Sequence, residues 1–497
     1  MRIYGLYSLM LKEVFMFKKL SQIDLTSGKE WKKLLIFAFP IIISYLLQQV
    51  YTISDAAICG QTLSSNEVAG VNDAAPIIFI FLQFAFGCTA GFTVITSYRI
   101  GNSDYKGIKK SFACQIVLCL IVTIVLTILS ILLLNPMLQL INVTKEANIE
   151  VYEAAYSYCI VIFLGIIAQM YYNFICSILR SLGDSITPLI FLFISTVLNI
   201  GLDFLFIMVF RLGVIGAALA TIIAQGISTI CCFIYSFKKY DYLRLSFKDF
   251  RIDVNEYMRH LKQGIPLGLQ FSILFFGVII LQSKIVLFDL LPSGIMVTNN
   301  PVQNGYGAAN KLNGLIMTPY NGLGTAIVSF NAQNFGAKKY DRIKRGLYQS
   351  LIISLIFFIV FAGTGALLTI NGAYQYIFLS HDKISEASLK YGNMFLYVEF
   401  ALYPFLGGVF VFRNAIQGVG KSFYTLLSGI AELVGRITVC LFLPTLVNGG
   451  PLNSLASDAS FIALCLADPF AWIASCLVLT YPTIKYLIKQ KYYKTSE

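Results

Sequence analysis

Residues 34–60 read LLIFAFPIIISYLLQQVYTISDAAICG. The stretch is long and apolar enough to cross a bilayer as one helix, yet it carries a carboxylate, Asp55. An ionised Asp at bilayer depth costs about 2.5–3.5 kcal/mol, so its helix face is expected to line a wet cavity between helices. Helical spacing aligns further polar residues with it, namely Ser44, Gln48, Tyr51 and Thr52.

The whole chain shares this apolar character. Of its 497 residues, 57% are hydrophobic and 12% are charged, and the mean hydropathy is +0.74. This composition excludes a set of soluble domains and predicts an all-α polytopic membrane protein. Hydropathy predicts twelve transmembrane helices, at about 34–60, 70–98, 111–134, 152–179, 186–210, 213–237, 263–290, 305–334, 346–372, 386–412, 422–446 and 456–484.

The net charge of +12 comes from Lys and Arg residues that are sorted by side. With the N-terminus inside, 30 of them lie in cytoplasmic segments and five at outer helix ends. This asymmetry predicts a multi-pass protein of the plasma membrane with both termini in the cytoplasm. Membrane lipids with anionic headgroups, and not nucleic acid, are the partners that this charge predicts.

A basic turn occurs twice. Aligning GNSDYKGIKKS, which begins at Gly101, with the turn at Gly336 in FGAKKYDRIKRG gives an offset of 235 residues. Each copy covers six spans, and an even number predicts two lobes of the same orientation, related by a pseudo-twofold axis along the membrane normal. The predicted parts are a cytoplasmic N-terminal segment (1–33), an N-lobe of six helices (34–237), a cytoplasmic linker (238–262), a C-lobe of six helices (263–484) and a cytoplasmic tail (485–497).

Two more spans of the N-lobe carry polar faces. Helical steps align Thr196, Asn199 and Asp203 in the fifth span, and Ala217 and Thr221 in the sixth. If these faces meet Asp55, two carboxylates, an amide and a hydroxyl converge, which suits a hard cation or shared protons. Taken singly, Asn199 or Thr221 is also explained as an interhelical hydrogen bond.

The C-lobe carries a different set of charges. At an offset of 237, Arg436 takes the position of Asn199. Glu432 and Arg436, one turn apart, predict an intrahelical ion pair. Glu399 and Asp468, in spans ten and twelve, are candidates either for lining the cavity or for a packing role.

Cysteine and histidine offer little chemistry. The eleven Cys residues are scattered through apolar spans without a C-x-x-C pair and are expected to be small buried hydrophobes. His260 is placed in a charged loop and His381 at an outer helix end, so neither a His metal site nor a His proton relay is expected. No cofactor is expected besides a coupling ion.

From about residue 30 to 485 the chain resembles the multidrug and toxin extrusion (MATE) transporters, members of the multidrug/oligosaccharidyl-lipid/polysaccharide exporter superfamily. The resemblance implies two six-helix lobes, alternating access, and secondary active antiport of cationic drugs against sodium ions or protons. Its most specific parts are FPIIISYLLQQVYTISDAAICG (39–60), GCTAGFTVITSYRIGNSDYKGIKKS (87–111), VLNIGLDFLFI (197–207), LGVIGAALAT (212–221) and RNAIQGVGKS (413–422).

Carried onto matching positions, the resemblance makes Pro40 the proline that bends the first helix. It implies a cation-coupling site, able to hold sodium as its metal, made by Asp55, Asn199, Asp203 and Thr221, with a backbone carbonyl of Ala217.

The C-lobe departs from the family pattern. Some members place essential acids in spans seven and ten, where this chain has Gln270 and Gln282, and then Glu399 a couple of turns from the expected position.

Two other functions compete with antiport. Flippases for lipid-linked oligosaccharides and polysaccharide exporters share the superfamily, but are not expected to keep the acid, amide and hydroxyl set. An intramembrane enzyme is more distant, because no His lies in a predicted span and no nucleophile–base motif occurs. The chain is therefore predicted to be a monomeric transporter of small cationic substrates, not an enzyme, with cavity candidates Gln48, Tyr51, Thr52, Glu399 and Asp468.

Overall fold

The computed structural model describes residues 22–379 and 383–490. His381 and the outer parts of the predicted N-terminal segment and tail lie outside the described residues. Apart from one isolated bridge between Leu290 and Met296, the described part of the chain contains no β-structure. The prediction of an all-α protein is confirmed.

The first half of the chain forms seven α-helices. α4 and α5 meet at Gly165 with a bend of 47°, and together they occupy the fourth predicted span. α6 continues directly into a π-helical turn, Phe204–Val209. The helices are α1 (Glu30–Thr62), α2 (Ser65–Gly101), α3 (Tyr105–Leu140), α4 (Ile149–Leu164), α5 (Ile166–Ser181), α6 (Ile186–Asp203) and α7 (Gly213–Lys239).

The described residues of the second half form nine α-helices. A π-helical turn, Phe358–Ala362, joins α10 to α11, and another, Thr483–Ile488, follows α16. The helices are α8 (Val254–Leu287), α9 (Pro301–Gly336), α10 (Tyr340–Phe357), α11 (Gly363–Thr369), α12 (Ala373–Phe378), α13 (Glu386–Gly418), α14 (Ser422–Asn448), α15 (Asp458–Cys465) and α16 (Ala467–Pro482).

These elements correspond to the twelve predicted spans. In the described residues, ten helical segments are long and apolar enough to cross a membrane, and the bent pair α4–α5 is an eleventh. The remaining span is α9, which has 36 residues but is rich in Asn, Gln and Gly. A segment of that composition needs neighbouring protein around it, because lipid cannot satisfy its amide groups.

Local sequence explains where several helices begin. Ser64 and Glu67 form a capping box at the start of α2, each side chain pairing with a backbone N–H of the other. The Asp104 side chain accepts a hydrogen bond of 2.9 Å from the Gly107 N–H at the start of α3. Both caps follow the short connections that separate long apolar runs in the sequence.

The predicted repeat is visible in the backbone of its two turns. Ser103 and Lys338, which are 235 residues apart, both have positive φ angles, of 59° and 56°. One residue later in each copy, the backbone N–H bonds a carbonyl five residues earlier over 2.8 Å, from Asp104 to Arg99 and from Lys339 to Asn334. The repeat aligned at Gly101 and Gly336 is therefore confirmed at these turns.

The chain divides into two compact units that do not follow chain order. The first contains the residues up to Gly268 together with Thr325–Ile343 and Gly418–Gly420. The second contains Leu269–Gly324, Lys344–Gln417 and the residues from Lys421 onward. The lobe and linker boundaries given from the sequence stay a prediction.

Close helix packing in the first unit depends on glycine. A Cβ on Gly87 would come within 2.6 Å of the Leu267 carbonyl oxygen, and one on Gly91 within 2.5 Å of the Gln263 carbonyl oxygen. Such contacts are too short for any side chain, so α2 and α8 approach each other backbone to backbone. These two glycines form the small-residue face that their four-residue spacing indicates.

The two repeat turns also pack against each other within the first unit. A Cβ on Gly101 would overlap the Gln333 carbonyl oxygen, and one on Gly336 would overlap the Tyr98 carbonyl oxygen. Tyr98 and Gln333 are themselves 235 residues apart, so each copy contacts the other with equivalent residues. A reciprocal contact of this kind is what twofold symmetry produces.

The eleven cysteines form no disulfide, and nine of them are fully buried. Cys231 is exposed and Cys476 is partly exposed. Most of these residues are thus the small buried hydrophobes expected from the sequence.

Candidate functional site

The first unit carries the predicted coupling residues on three helices that pack together, α1, α6 and α7. α1 runs without a break through Pro40, whose carbonyl oxygen accepts a hydrogen bond of 2.9 Å from the Ser44 hydroxyl. Four turns later the same helix presents Tyr51 and Asp55, both partly buried. The bend assigned to Pro40 stays a prediction.

α6 turns its polar face into the protein. Thr196 is 4% exposed, and Asn199 and Asp203 are fully buried. The face predicted from helical spacing is therefore an inward one. Asp203 is the last residue before the π-helical turn, a geometry that is common at functional sites. Ile207 of that turn packs with Cys59 and Ala217 in a small apolar cluster.

α7 supplies the residue that links the other two helices. The Tyr51 hydroxyl donates a hydrogen bond of 3.1 Å to Thr221 Oγ1, and Asn199 Nδ2 donates one of 3.5 Å to the same oxygen. Asp55 and Asp203 are close enough for their charges to repel each other. The structure thus brings together the two carboxylates, the amide and the hydroxyl named from the sequence.

Four oxygen atoms at this place make no hydrogen bond within the protein. They are Asp55 Oδ1, Asn199 Oδ1 and both carboxylate oxygens of Asp203, and all four are buried. Buried polar atoms normally have a partner, because leaving them without one costs free energy. Oxygen atoms in this arrangement can satisfy one another only through a bound proton or a hard cation.

The other members of the α1 stripe are placed differently. Gln48 and Thr52 are exposed, and the Thr52 hydroxyl bonds the Gln48 carbonyl oxygen over 3.0 Å. Within the described residues, no group of three or more His, Cys, Asp or Glu side chains could hold a metal ion. The coupling residues therefore offer the oxygen atoms of only two acids, together with neutral oxygens.

In the second unit, Asp468 and Arg436 form an ion pair of 2.5 Å that joins α16 to α14. The predicted pair between Glu432 and Arg436 is confirmed at 3.7 Å, with both residues 6% exposed. Glu432 also pairs with Arg413 of α13, a contact that the sequence did not indicate. Glu399 is fully buried near this network.

The sequence prediction for His260 is wrong. This residue lies in α8, not in a loop, and it is fully buried. Its Nε2 is 2.7 Å from the Ser111 hydroxyl, and its Nδ1 is 2.9 Å from the Glu256 carbonyl oxygen. α8 begins nine residues before the predicted span because its first turns pack on the first unit. Hydropathy alone does not detect such an extension.

Comparison with known proteins identifies close similarity over most of the chain. The MatE family profile matches residues 40–205 and 304–442. The probable multidrug resistance protein YpnP of Bacillus subtilis is 29% identical over 406 residues, which cover 81% of this chain and 86% of that protein. The probable multidrug resistance protein NorM of Oceanobacillus iheyensis is 25% identical over 369 residues, covering 72% of this chain and 78% of that protein.

Solved structures share the fold. An outward-facing multidrug resistance MATE family transporter of the MOP superfamily has a TM-score of 0.79 at 18% identity, covering 95% of this chain and 98% of that one. A MOP superfamily transporter from Pyrococcus furiosus, described as having a binding pocket of reverse polarity that suggests a different function, has a TM-score of 0.80 at 20% identity, covering 94% and 98%. The fold alone therefore does not determine the substrate.

Proposed function

Because this chain belongs to the MatE family, the multidrug and toxin extrusion transporters, we propose that it is a secondary antiporter. It exports cationic or amphipathic drugs and toxins, and sodium ions or protons move inward in exchange. The observation that carries this proposal is the set of buried oxygens on Asp55, Asn199 and Asp203 that make no hydrogen bond within the protein. Such a set holds a cation or protons at low cost only when one is bound.

The two carboxylates provide the exchange chemistry. Like charges at close range oppose simultaneous ionisation, so binding a proton or a sodium ion relieves the repulsion between Asp55 and Asp203. The neutral Asn199 Oδ1 adds an oxygen ligand that sodium prefers and that a proton does not need. This amide, together with the Thr221 hydroxyl, favours sodium as the coupling ion.

Exchange requires that ion binding favours one conformation of the transporter over another. α1 is the element best placed to respond, because it carries Asp55 and contains Pro40 fifteen residues earlier. Proline removes one helical hydrogen bond, so bending the helix at that point costs little. We assign alternating access to a change in α1 that is driven by occupation of Asp55.

The substrate class follows from charge and from the relatives. Proteins with similar sequences are named as multidrug resistance proteins. A site with two acids and no compensating base beside it attracts positive charge. A flippase for lipid-linked oligosaccharides, whose cargo carries anionic phosphate, gains nothing from that arrangement.

A dye-efflux assay tests this function in cells. Expression in a host that lacks its own drug pumps should lower the accumulation of an ethidium-like lipophilic cation. The effect should disappear when the ion gradients are collapsed, and Asp55→Asn should behave like the empty vector. Efflux that persists without any gradient would instead require another energy source. Movement of lipid-linked sugars without movement of the dye would favour the flippase.

A further inference from the structure

The second unit contains a buried charge network that is not neutral. Arg413 and Arg436 are its cations, at 12% and 7% side-chain exposure. Glu432 contacts both guanidinium groups, and Asp468 pairs with Arg436 over 2.5 Å. These two anions balance the two cations. Glu399 is the fifth member, and it has no cation of its own.

Glu399 is held by neutral groups only. Its Oε2 accepts a hydrogen bond of 3.3 Å from Asn313 Nδ2, and Asn313 in turn accepts one from the Tyr403 hydroxyl. Its Oε1 is buried and makes no hydrogen bond within the protein, and the whole residue is 0% exposed. An ionised carboxylate at this position would be desolvated without compensation.

The titratable and charged groups that face Glu399 add little positive charge. Asp468 repels a carboxylate at Glu399, and Arg436, already paired with Asp468, attracts it. The neutral groups that interact electrostatically with it are Tyr306, Tyr403 and Cys465. They lie on the neighbouring helices α9, α13 and α15, so Glu399 is surrounded on several sides by groups that do not compensate its charge.

We propose that Glu399 is a proton-binding site of the second unit, separate from the Asp55 site. With Glu399 buried as in this structure, its carboxyl holds a proton. When water reaches it, the carboxyl releases that proton to the water and becomes a carboxylate. A metal cation would meet the Arg436 guanidinium and a single unpartnered oxygen, whereas a proton needs only that oxygen.

Release of the proton has a consequence for packing. The ionised Glu399 becomes a rival of Asp468 for Arg436, because both carboxylates then attract the same guanidinium. Gly277 leaves room for this side chain, since a Cβ there would lie 2.8 Å from Arg436 Nη1. The three charged residues sit on α13, α14 and α16, so the protonation state of Glu399 biases how these helices pack.

The sequence repeat shows why the two units differ. Arg436 takes the position that Asn199 has in the first half, so a guanidinium tethered to α14 is present where the first half offers an amide. A resident cation disfavours a second, exchangeable metal ion. Proton binding at Glu399 stands on its own, while its link to drug export rests on the function proposed above.

Infrared spectroscopy of the purified full-length protein tests the proposal. A protonated carboxyl has a C=O stretching band that a carboxylate lacks. Wild type should show such a band that fades with increasing pH, and Glu399→Gln should remove it. The matched control Asp203→Asn should leave it in place. The amide keeps an oxygen for the Asn313 hydrogen bond, so the variant should fold. If it does not accumulate, Glu399→Asp should shift the band.

Three outcomes would overturn the proposal. They are the absence of a band that depends on Glu399, a band that does not respond to pH, and a band that Asp203→Asn removes. Proton release measured during dye transport by reconstituted wild type and Glu399→Gln addresses the link to transport. A lower number of protons per dye in Glu399→Gln supports the link, and an unchanged number overturns it. Absence of dye transport by wild type would refute the antiporter function and leave the infrared result unaffected.

Discussion

Tyr51 and Thr221 are joined by a hydrogen bond of 3.1 Å, from the phenol hydroxyl of α1 to the threonine hydroxyl of α7. Thr221 Oγ1 also accepts a hydrogen bond from Asn199, so both of its lone pairs are in use. A sodium ion that binds to this oxygen has to displace one of the two donors. The state seen here is thus one in which Thr221 clamps helices together.

Tyr51→Phe should therefore strengthen sodium binding. The change removes a competing donor whose hydrogen bond is worth about 0.5–1.5 kcal/mol, which corresponds to a gain of roughly 2–10-fold in affinity. Sodium titration of the purified variant, followed by calorimetry, measures this gain. Tyr45→Phe, which removes a hydrogen bond of 3.3 Å to Thr325, is the control and should leave affinity unchanged. Weaker sodium binding in Tyr51→Phe would show that the phenol is itself a ligand.

Gly101→Ala should destabilise the fold. Its Cβ would overlap the Gln333 carbonyl oxygen, and backbone cannot move aside as a side chain can. Overpacking of this kind costs about 1–3 kcal/mol. Thermal unfolding in detergent should show a clear decrease in midpoint. Gly60→Ala in α1, where nothing lies within 4 Å of the new methyl group, should be neutral or stabilising. Equal midpoints for the two variants would contradict the close contact.

The features predicted correctly from the sequence are those that depend on local spacing. The α6 face of Thr196, Asn199 and Asp203, the ion pair of Glu432 with Arg436, and the repeat at Gly101 all follow from residues close in sequence or from direct self-similarity. Helical periodicity determines such relationships before any tertiary contact forms.

The features that the sequence missed depend on tertiary contacts. Asp468 is the shorter partner of Arg436, but 32 residues separate the two, and periodicity says nothing across that distance. His260 was misplaced because its charged neighbours lower local hydropathy, although α8 buries its side chain against Ser111. In both cases a polar residue finds its partner on another helix, which only the fold determines.

Arg342→Gln should release the segment that precedes α1. The guanidinium donates hydrogen bonds to carbonyl oxygens of Leu25 and Ser27, at 3.3 and 2.9 Å, and pairs with Glu30 at 3.3 Å. A glutamine cannot reach all of these acceptors. Hydrogen exchange at residues 22–30 should become faster by about 10-fold or more, since several charge-assisted bonds are lost. Lys344→Gln, which removes the same charge two residues away, should leave exchange unchanged. Unaltered protection in Arg342→Gln would contradict this anchoring role.

Membrane orientation can be tested by labelling single cysteines with an impermeant thiol reagent in sealed cells. Single cysteines at Ser65 and Leu455, both exposed, should react, because the predicted topology places these loops outside. A cysteine at the exposed Lys248 should react only after the cells are opened. The background carries Cys231→Ser, because Cys231 is the exposed native thiol. Labelling of position 248 in sealed cells would reverse the topology.

The central claim is that ion binding at Asp55 and Asp203 drives export. The most direct measurement is dye transport in proteoliposomes with sodium and proton gradients imposed separately, for wild type, Asp55→Asn, Asp203→Asn and Thr221→Ala. Gradient-driven transport should be abolished in both Asp variants. If sodium is the coupling ion, Thr221→Ala should also weaken sodium binding; if protons couple, its effect should be mild. Normal gradient-driven transport by Asp55→Asn would contradict the account.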